Sequence, residues 1–213
     1  PSLAPTAEPR MYLGGVLGGS LGRSLPGAFV AYCENTGRVS YSGAFIVSHI
    51  GGIVGYNMRV KTKFCINRGE IVSAARGVEE GSDRYCQEMA GGICGMAESG
   101  NIDFCETTLD AAHTIRTEGG EISMTGGIAG SMNGGRISAC TFTGTGVLEA
   151  AFNTVPEGYY VYAQAGGIVG STAEASIESC TADFGGSLLV PKGGEATCNA
   201  GIVCGNSGSS ITD

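Results

Sequence analysis

Gly126-Gly127-Ile128-Ala129-Gly130 decides how this chain is read, because the same phrase returns three more times. The other copies are Gly51-Gly52-Ile53-Val54-Gly55, Gly91-Gly92-Ile93-Cys94-Gly95 and Gly166-Gly167-Ile168-Val169-Gly170. A degenerate copy, Gly14-Gly15-Val16-Leu17-Gly18, opens the series. Ala200-Gly201-Ile202-Val203-Cys204 closes it, with Cys204 read in the place of the last glycine. The six starts, at 14, 51, 91, 126, 166 and 200, lie 37, 40, 35, 40 and 34 residues apart. Self-similarity at such a period marks a solenoid or an array of supersecondary units.

Behind each phrase a looser pattern, x-I-x-x-C, follows as Asn101-Ile102-Asp103-Phe104-Cys105, Arg136-Ile137-Ser138-Ala139-Cys140 and Ser176-Ile177-Glu178-Ser179-Cys180. Val30 with Cys33 fits it in the first repeat, and Thr62 with Cys65 fits it less well in the second. A third phrase, G-x-[VI], appears as Gly37-Arg38-Val39 and Gly69-Glu70-Ile71 and is displaced in later repeats. All three phrases are short, glycine-bounded and rich in β-branched residues, and no window has helical spacing long enough for a helix.

Three short strands per repeat make one coil of a parallel β-solenoid, so the expected fold is all-β, with about six coils and surface insertions. Equivalent positions stack at about 4.8 Å, which predicts a rod roughly 25 to 30 Å long. Val16, Ile53, Ile93, Ile128, Ile168 and Ile202 are expected to form one inward ladder, and Val30, Ile102, Ile137, Ile177 and Ile211 a second. Thr62 interrupts the second ladder, where a local defect or an adjusted turn is expected. The neighbour of each inward isoleucine is read as outward, so Ile128→Asp should unfold the rod and Ala129→Ser should be tolerated. Residues 73–89, 106–118, 148–164 and 187–199 are read as surface insertions, the kind of segment where function resides.

The organisation expected is one elongated unit over residues 14–213, cut mid-repeat at its end, preceded by a flexible lead-in or cap over 1–13. Glycine is 38 of 213 residues without the every-third-residue period of collagen. With 42% hydrophobic and only 15% charged residues, the composition is the reverse of a disordered chain. The net charge is −8 and the twelve Lys and Arg residues are scattered, which argues against nucleic acid and anionic bilayers as partners. The longest charge-free run, residues 39–58, is interrupted by serines, glycines, His49 and Asn57, so membrane insertion is not expected.

Five of the nine cysteines, Cys33, Cys65, Cys105, Cys140 and Cys180, share one position of the repeat and are read as a ladder of buried thiols. In-register side chains point the same way, which makes the disulfide torsion hard to reach. Cys86 with Cys94 and Cys198 with Cys204 are close enough in sequence to be alternative pairs. Zinc is the alternative for the ladder, but no C-x-x-C pair exists and His49 and His113 are isolated, so no metal site and no cofactor is expected.

Searching for catalysis finds neither H-E-x-x-H nor a phosphate-binding glycine loop. Gly18-Gly19-Ser20-Leu21-Gly22 matches the nucleophile elbow yet lies within the repeat phrase, outside the strand-to-helix context that motif needs. No catalytic residue is assigned. Glu79-Glu80-Gly81-Ser82-Asp83 offers oxygen ligands of the kind calcium takes, but a solvated acidic loop is the reading preferred. Tyr159, Tyr160 and Tyr162 are the candidate ligand contacts, since tyrosine presents a flat apolar face with a polar tip; an extra strand packed over the solenoid is the alternative.

Taken together, GGI-x-G, G-x-I-x-x-C and G-x-V over residues 14–213 resemble the GLUG motif, a repeat of bacterial cell-surface and secreted proteins, including non-catalytic regions of IgA-specific metallopeptidases. The match is best at 91–105, 126–140 and 166–180, weaker at 14–39 and 51–71, and truncated at 200–213. The resemblance implies an extracellular or cell-surface bacterial module, a spacer or adhesin, with no catalytic residue carried over. The expected function is a rigid rod displaying variable loops, its ends stacking on another copy in a filament or on the rest of a longer chain. A module binding a host or dietary glycan or protein, and a polysaccharide-active enzyme on a β-helix, are the alternatives.

Overall fold

The computed structural model describes residues 10–20, 28–43, 47–75, 86–152, 161–191 and 196–212. Every regular element among them is a strand. The first coil holds β1 (Arg10–Gly14), β2 (Leu17–Ser20), β3 (Phe29–Ala31), β4 (Glu34–Asn35) and β5 (Val39–Gly43). The second repeats that order as β6 (Val47–Gly51), β7 (Val54–Met58), β8 (Lys61–Lys63), β9 (Ile66–Asn67) and β10 (Ile71–Ala75). The third does so as β11 (Gln87–Gly91), β12 (Cys94–Glu98), β13 (Asn101–Asp103), β14 (Glu106–Leu109) and β15 (Thr114–Glu118).

In later coils the second and third strands fuse. The fourth coil is β16 (Ile122–Gly126), β17 (Ala129–Ser138), β18 (Thr141–Gly144) and β19 (Val147–Ala150). The fifth is β20 (Val161–Gly166), β21 (Val169–Glu178), β22 (Thr181–Phe184) and β23 (Ser187–Leu189), and the sixth contributes β24 (Ala196–Gly201) and β25 (Cys204–Thr212).

Like strands stack on like, always in parallel. Sheet I runs β1-β6-β11-β16-β20-β24; sheet II gathers the second and third strands of every coil; sheet III runs β4-β9-β14-β18-β22; sheet IV runs β5-β10-β15-β19-β23. This is a parallel β-solenoid. Its complete turns are fewer than the six expected, because five coils pass through all four sheets and the sixth enters only I and II. A full coil uses five strand segments rather than three.

The repeated glycines are set by crowding rather than by left-handed backbone, for none of those in the GGI-x-G phrases lies among the positive-φ positions. Each of the three has its own obstacle. In the fourth coil a Cβ on Gly126 would lie 1.8 Å from the Ala129 carbonyl oxygen, closing off the turn itself. One on Gly127 would lie 2.1 Å from the Gly167 carbonyl of the next coil and 2.4 Å from the Phe142 ring. One on Gly130 would meet the Ala90 and Gly95 backbone at 2.6 to 2.7 Å, because sheet II folds directly onto sheet I there.

The same logic corrects the alignment of the last copy. Gly201 pairs with Gly166 and Cys204 with Val169, so Val203, not Ile202, holds the inward position, and its carbonyl accepts from Ile168 N–H at 2.9 Å. Gly205 therefore stands where Cys204 was expected to replace a glycine. Ile202 occupies the second-glycine place and is 56% exposed. No described strand lies beyond it to collide with its side chain.

The inner rungs Ile53, Ile93, Ile128 and Ile168 are fully buried, each stabilising the stack by about 2 to 3 kcal/mol. Val16 keeps its register with Ile53 but is 51% exposed, having a coil on one side only. Val54, Cys94, Ala129 and Val169, read as outward, are also fully buried in the same core. The tight turn after the glycines breaks strand alternation and turns two consecutive side chains inward.

Thr62 makes no defect. It pairs in register with Val30 and Ile102 and is completely buried. Asn57 explains this, since its amide donates to Thr62 Oγ1 at 3.2 Å while its Oδ1 accepts from Val60 N–H at 3.0 Å. In the third coil the two places hold Ala97 and Ile102. Asn57→Ala should therefore cost about 1 to 3 kcal/mol by stranding the threonine hydroxyl and the Val60 N–H. The double variant Asn57→Ala/Thr62→Ile should recover part of that in urea unfolding, and strict additivity of the two changes would refute the pairing.

The third phrase is not lost in later repeats either. Val39, Ile71, Ile115, Leu148 and Leu188 stack in one register on sheet IV. Residues 106–118 are consequently strands β14 and β15 joined by a short turn, not an insertion. The remaining insertions shrink towards 76–85, 153–160 and 192–195, which lie outside the described residues.

Candidate functional site

Two bends with positive φ recur among the described residues, the first in coils two to five and the second in coils one to five, all but one at residues other than glycine. The first falls at Arg59 (φ 60°), Ser99 (52°) and Glu174 (52°), with Gly134 (68°) in the fourth coil. The second, just before the ladder cysteine, falls at Tyr32 (57°), Phe64 (54°), Phe104 (55°), Ala139 (49°) and Ser179 (50°). Left-handed backbone costs a non-glycine residue on the order of 1 to 2 kcal/mol, and the surroundings hold it in place. The bend N–H groups stay in the ladder, with Phe104 N donating to Ser138 O and Ala139 N to Glu178 O, both at 3.0 Å.

The cysteines brace the same bend. Each ladder thiol lies 3.3 to 3.4 Å from the carbonyl two residues earlier, those of Ala31, Lys63, Asp103, Ser138 and Glu178. All five ladder cysteines are thiols, as are Cys94 and Cys198, so neither alternative disulfide forms. Cys105 is pushed up to about 12, where the Cys140 thiol lowers it but its contact with Cys65 and burial together raise it further. Burial likewise lifts Cys94 to about 12. Cys94 and Cys105 are therefore packing groups rather than nucleophiles.

At the second bend the side chains of the first three coils project outward and stack. Tyr32 lies 5.1 Å from Phe64 at 9° between planes, and Phe64 lies 5.2 Å from Phe104 at 11°. All three are exposed, by 78%, 40% and 56%. Phe29 is exposed as well, with the Lys63 ammonium 5.1 Å above its ring.

Beside this aromatic column runs a polar one, Lys63, Asp103, Ser138 and Glu178 in register. Arg136 Nη2 donates to Asp103 Oδ1 at 3.0 Å, Ser138 Oγ donates to the same oxygen at 2.6 Å, and Arg136 Nη1 stands 4.0 Å from Glu178 Oε2. Cross-strand opposite charges of this kind fix register more than they add stability.

The tyrosines named from the sequence are elsewhere. Tyr162 is on sheet I, 38% exposed and paired with Ile122 and Thr197, while Tyr159 and Tyr160 lie outside the described residues, as does the acidic stretch 79–83. The better signal was an aromatic residue directly before a ladder cysteine, repeated as Tyr32-Cys33, Phe64-Cys65 and Phe104-Cys105. Ser20 of the elbow-like stretch sits in β2, its Oγ 3.5 Å from the Met58 carbonyl. Among the described residues no group of three His, Cys, Asp or Glu side chains is placed to hold a metal ion. No helix among them is long and apolar enough to cross a membrane.

A second ring cluster is internal. Tyr12 stacks on His49 at 5.3 Å and on Tyr56 at 4.9 Å, and the Tyr56 hydroxyl donates to Glu98. His49 is buried, neither ring nitrogen has a hydrogen-bond partner, and burial, with Arg10 adding to it, pulls its pKa down to about 3. The folded value is below the ordinary 6.5, so the neutral ring's full contribution is present above pH 6.5 and is lost as pH falls towards 3. Between pH 7 and 5 the protein should lose about 2 kcal/mol more than His49→Phe, which keeps a ring in the stack. Equal pH slopes in urea unfolding of the two would overturn the assignment.

A continuous parallel stack with an aromatic and ionic face defines the class, a parallel β-solenoid. Beyond that class, comparison of the chain with protein-family models, with curated proteins and with solved structures finds no match.

Proposed function

We propose that this chain is a non-catalytic structural and adhesive module of a bacterial surface or secreted protein, with the coil stack as a rigid support for an exposed binding face. The observation that carries this is the Tyr32, Phe64 and Phe104 column. Three large aromatics are held outward at left-handed bends, where neither burial nor backbone preference would select them. The resemblance of the repeat to the GLUG motif supports the surface setting. The partners proposed are host or dietary glycans or proteins, rather than nucleic acid or a bilayer, in keeping with the scattered cations.

The enzyme alternative has one observation in its favour, the meeting of Asp103, Arg136 and Glu178. Against it, the Asp103 oxygen that would act as a base already accepts from both Arg136 and Ser138. The test is binding to immobilised glycans and matrix proteins by the natural chain and by a Tyr32→Ala/Phe64→Ala/Phe104→Ala variant with an unchanged melting midpoint. Loss of binding in the variant is expected. Undiminished binding, or release of reducing ends from a polysaccharide by the natural chain, would defeat the reading.

End-to-end contact belongs to the same proposal. Val16 and Ile211 are about half exposed at the ends of their ladders, rungs that a coil from a longer chain or a second copy would cover. Ile202 works against a tight join, because its side chain fills the place where a following carbonyl would lie. Sedimentation velocity over a hundredfold concentration range decides it: a mass that grows with concentration supports stacking, and a constant mass removes it.

A further inference from the structure

The aromatic column stops abruptly, and the stop has a shape. Phe104 has one face on Phe64, but its other face looks towards the fourth coil, where the bend residue is Ala139 and then, in the fifth, the exposed Ser179. A stacked ring is missing from a series otherwise spaced at 5.1 to 5.2 Å. The gap is thus about one ring thick, open to solvent and floored by a methyl group. Along one side stand Ser138, Arg136 and Glu178, whose side chains remain partly exposed, 43% for Arg136 and 41% for Glu178.

We infer that this notch is a binding site for a neutral hexopyranose ring, stacked on the free face of Phe104 above Ala139. The inference rests on the adhesive reading and names its ligand class. An aromatic face is the negative side of the ring quadrupole and attracts the weakly positive C–H groups on the flat side of a pyranose. The hydroxyls at the sugar's edge need mixed donors and acceptors. Arg136 Nη1 and Glu178 Oε2, 4.0 Å apart, are too far for a hydrogen bond with each other yet suited to one hydroxyl that accepts from the first and donates to the second. Arg136, Asp103 and Glu178 together carry one net negative charge, which selects against a uronate and for an uncharged sugar.

The chain itself supplies well-matched variants. Ala139→Phe places a ring where Phe64 and Phe104 already carry one at nearly the same φ, so it extends the column and fills the notch. Phe104→Ala removes the platform, and Ala139 shows that the bend accepts alanine. Leu189→Ala, an exposed apolar side chain of β23 on sheet IV and outside the aromatic column, is the control.

The experiment is a 1H–15N correlation titration of the full chain with cellobiose, lactose and trigalacturonate. Shifts of the Phe104, Ala139 and Ser179 amides are expected with either neutral disaccharide and not with the acidic trimer. Phe104→Ala and Ala139→Phe should each weaken binding by at least about tenfold, and Leu189→Ala should leave it unchanged. Binding that survives Phe104→Ala or Ala139→Phe, shifts centred on other residues, preference for the acidic trimer, or no shift at all would each overturn the notch. Loss of adhesion in the triple aromatic variant, without any shift here, would leave the adhesive module standing and remove only its sugar.

Discussion

Gly127→Ala is expected to destabilise the protein by about 4 kcal/mol or more, or to abolish cooperative unfolding, for the sake of one methyl group. That methyl would sit 2.1 Å from the Gly167 carbonyl and 2.4 Å from Phe142 Cγ. The carbonyl belongs to the backbone of the next coil and cannot retreat without breaking the stack, whereas the ring is a side chain that can be removed. Gly127→Ala/Phe142→Ala should accordingly recover little, since it adds the cavity left by a fully buried phenylalanine. The internal control is Ile202→Ala, at the equivalent place with no described strand beyond, which should be within about 0.5 kcal/mol of the natural chain. A Gly127→Ala protein with an unchanged urea midpoint would show that the second glycine is not set by the neighbouring coil.

Ile128→Asp should have the other large effect. Ile128 is completely buried between Ile93 and Ile168, so aspartate there loses about 2 to 3 kcal/mol of apolar burial and must also desolvate a carboxyl with no partner. Unfolding at neutral pH is the expected result, read as loss of the far-ultraviolet β signal. Ala129 changes the companion prediction. Because it too is fully buried, Ala129→Ser should cost about 1 to 3 kcal/mol instead of being silent. A silent Ala129→Ser would restore the simple in-and-out alternation.

The solenoid was legible because its strongest signals are positional: Ile53, Ile93, Ile128 and Ile168 recur with the same glycines around them, and stacking needs nothing more. What misled was the assumption that spacing is constant. Residues 110–113 add a turn between β14 and β15 that displaces Ile115 in sequence while leaving it in register with Ile71 and Leu148. The last copy was misaligned by one residue for a related reason, since Ile202 looks like a ladder isoleucine and only the pairing of Gly201 with Gly166 shows that it is not. Thr62 looked like a fault because its partner Asn57 lies on the preceding strand. The candidate site was hidden differently. Its aromatics stand at bends whose left-handed backbone no composition rule indicates, although their place before the cysteines was visible.

Stacking also dictates how the chain must fold. Each strand's hydrogen-bond partner is found one repeat earlier or later, 32 to 44 residues away, so a single coil has almost nothing to bond with itself. The first pairing of two coils carries the loop-closure cost and should be the slow step, after which each further coil adds to a ready template. During synthesis a coil therefore waits for the next repeat to emerge before its backbone is satisfied. Truncations should then fail or succeed in whole repeats, with the Gly-Gly-Ile turn as the natural place to begin or end a folding unit.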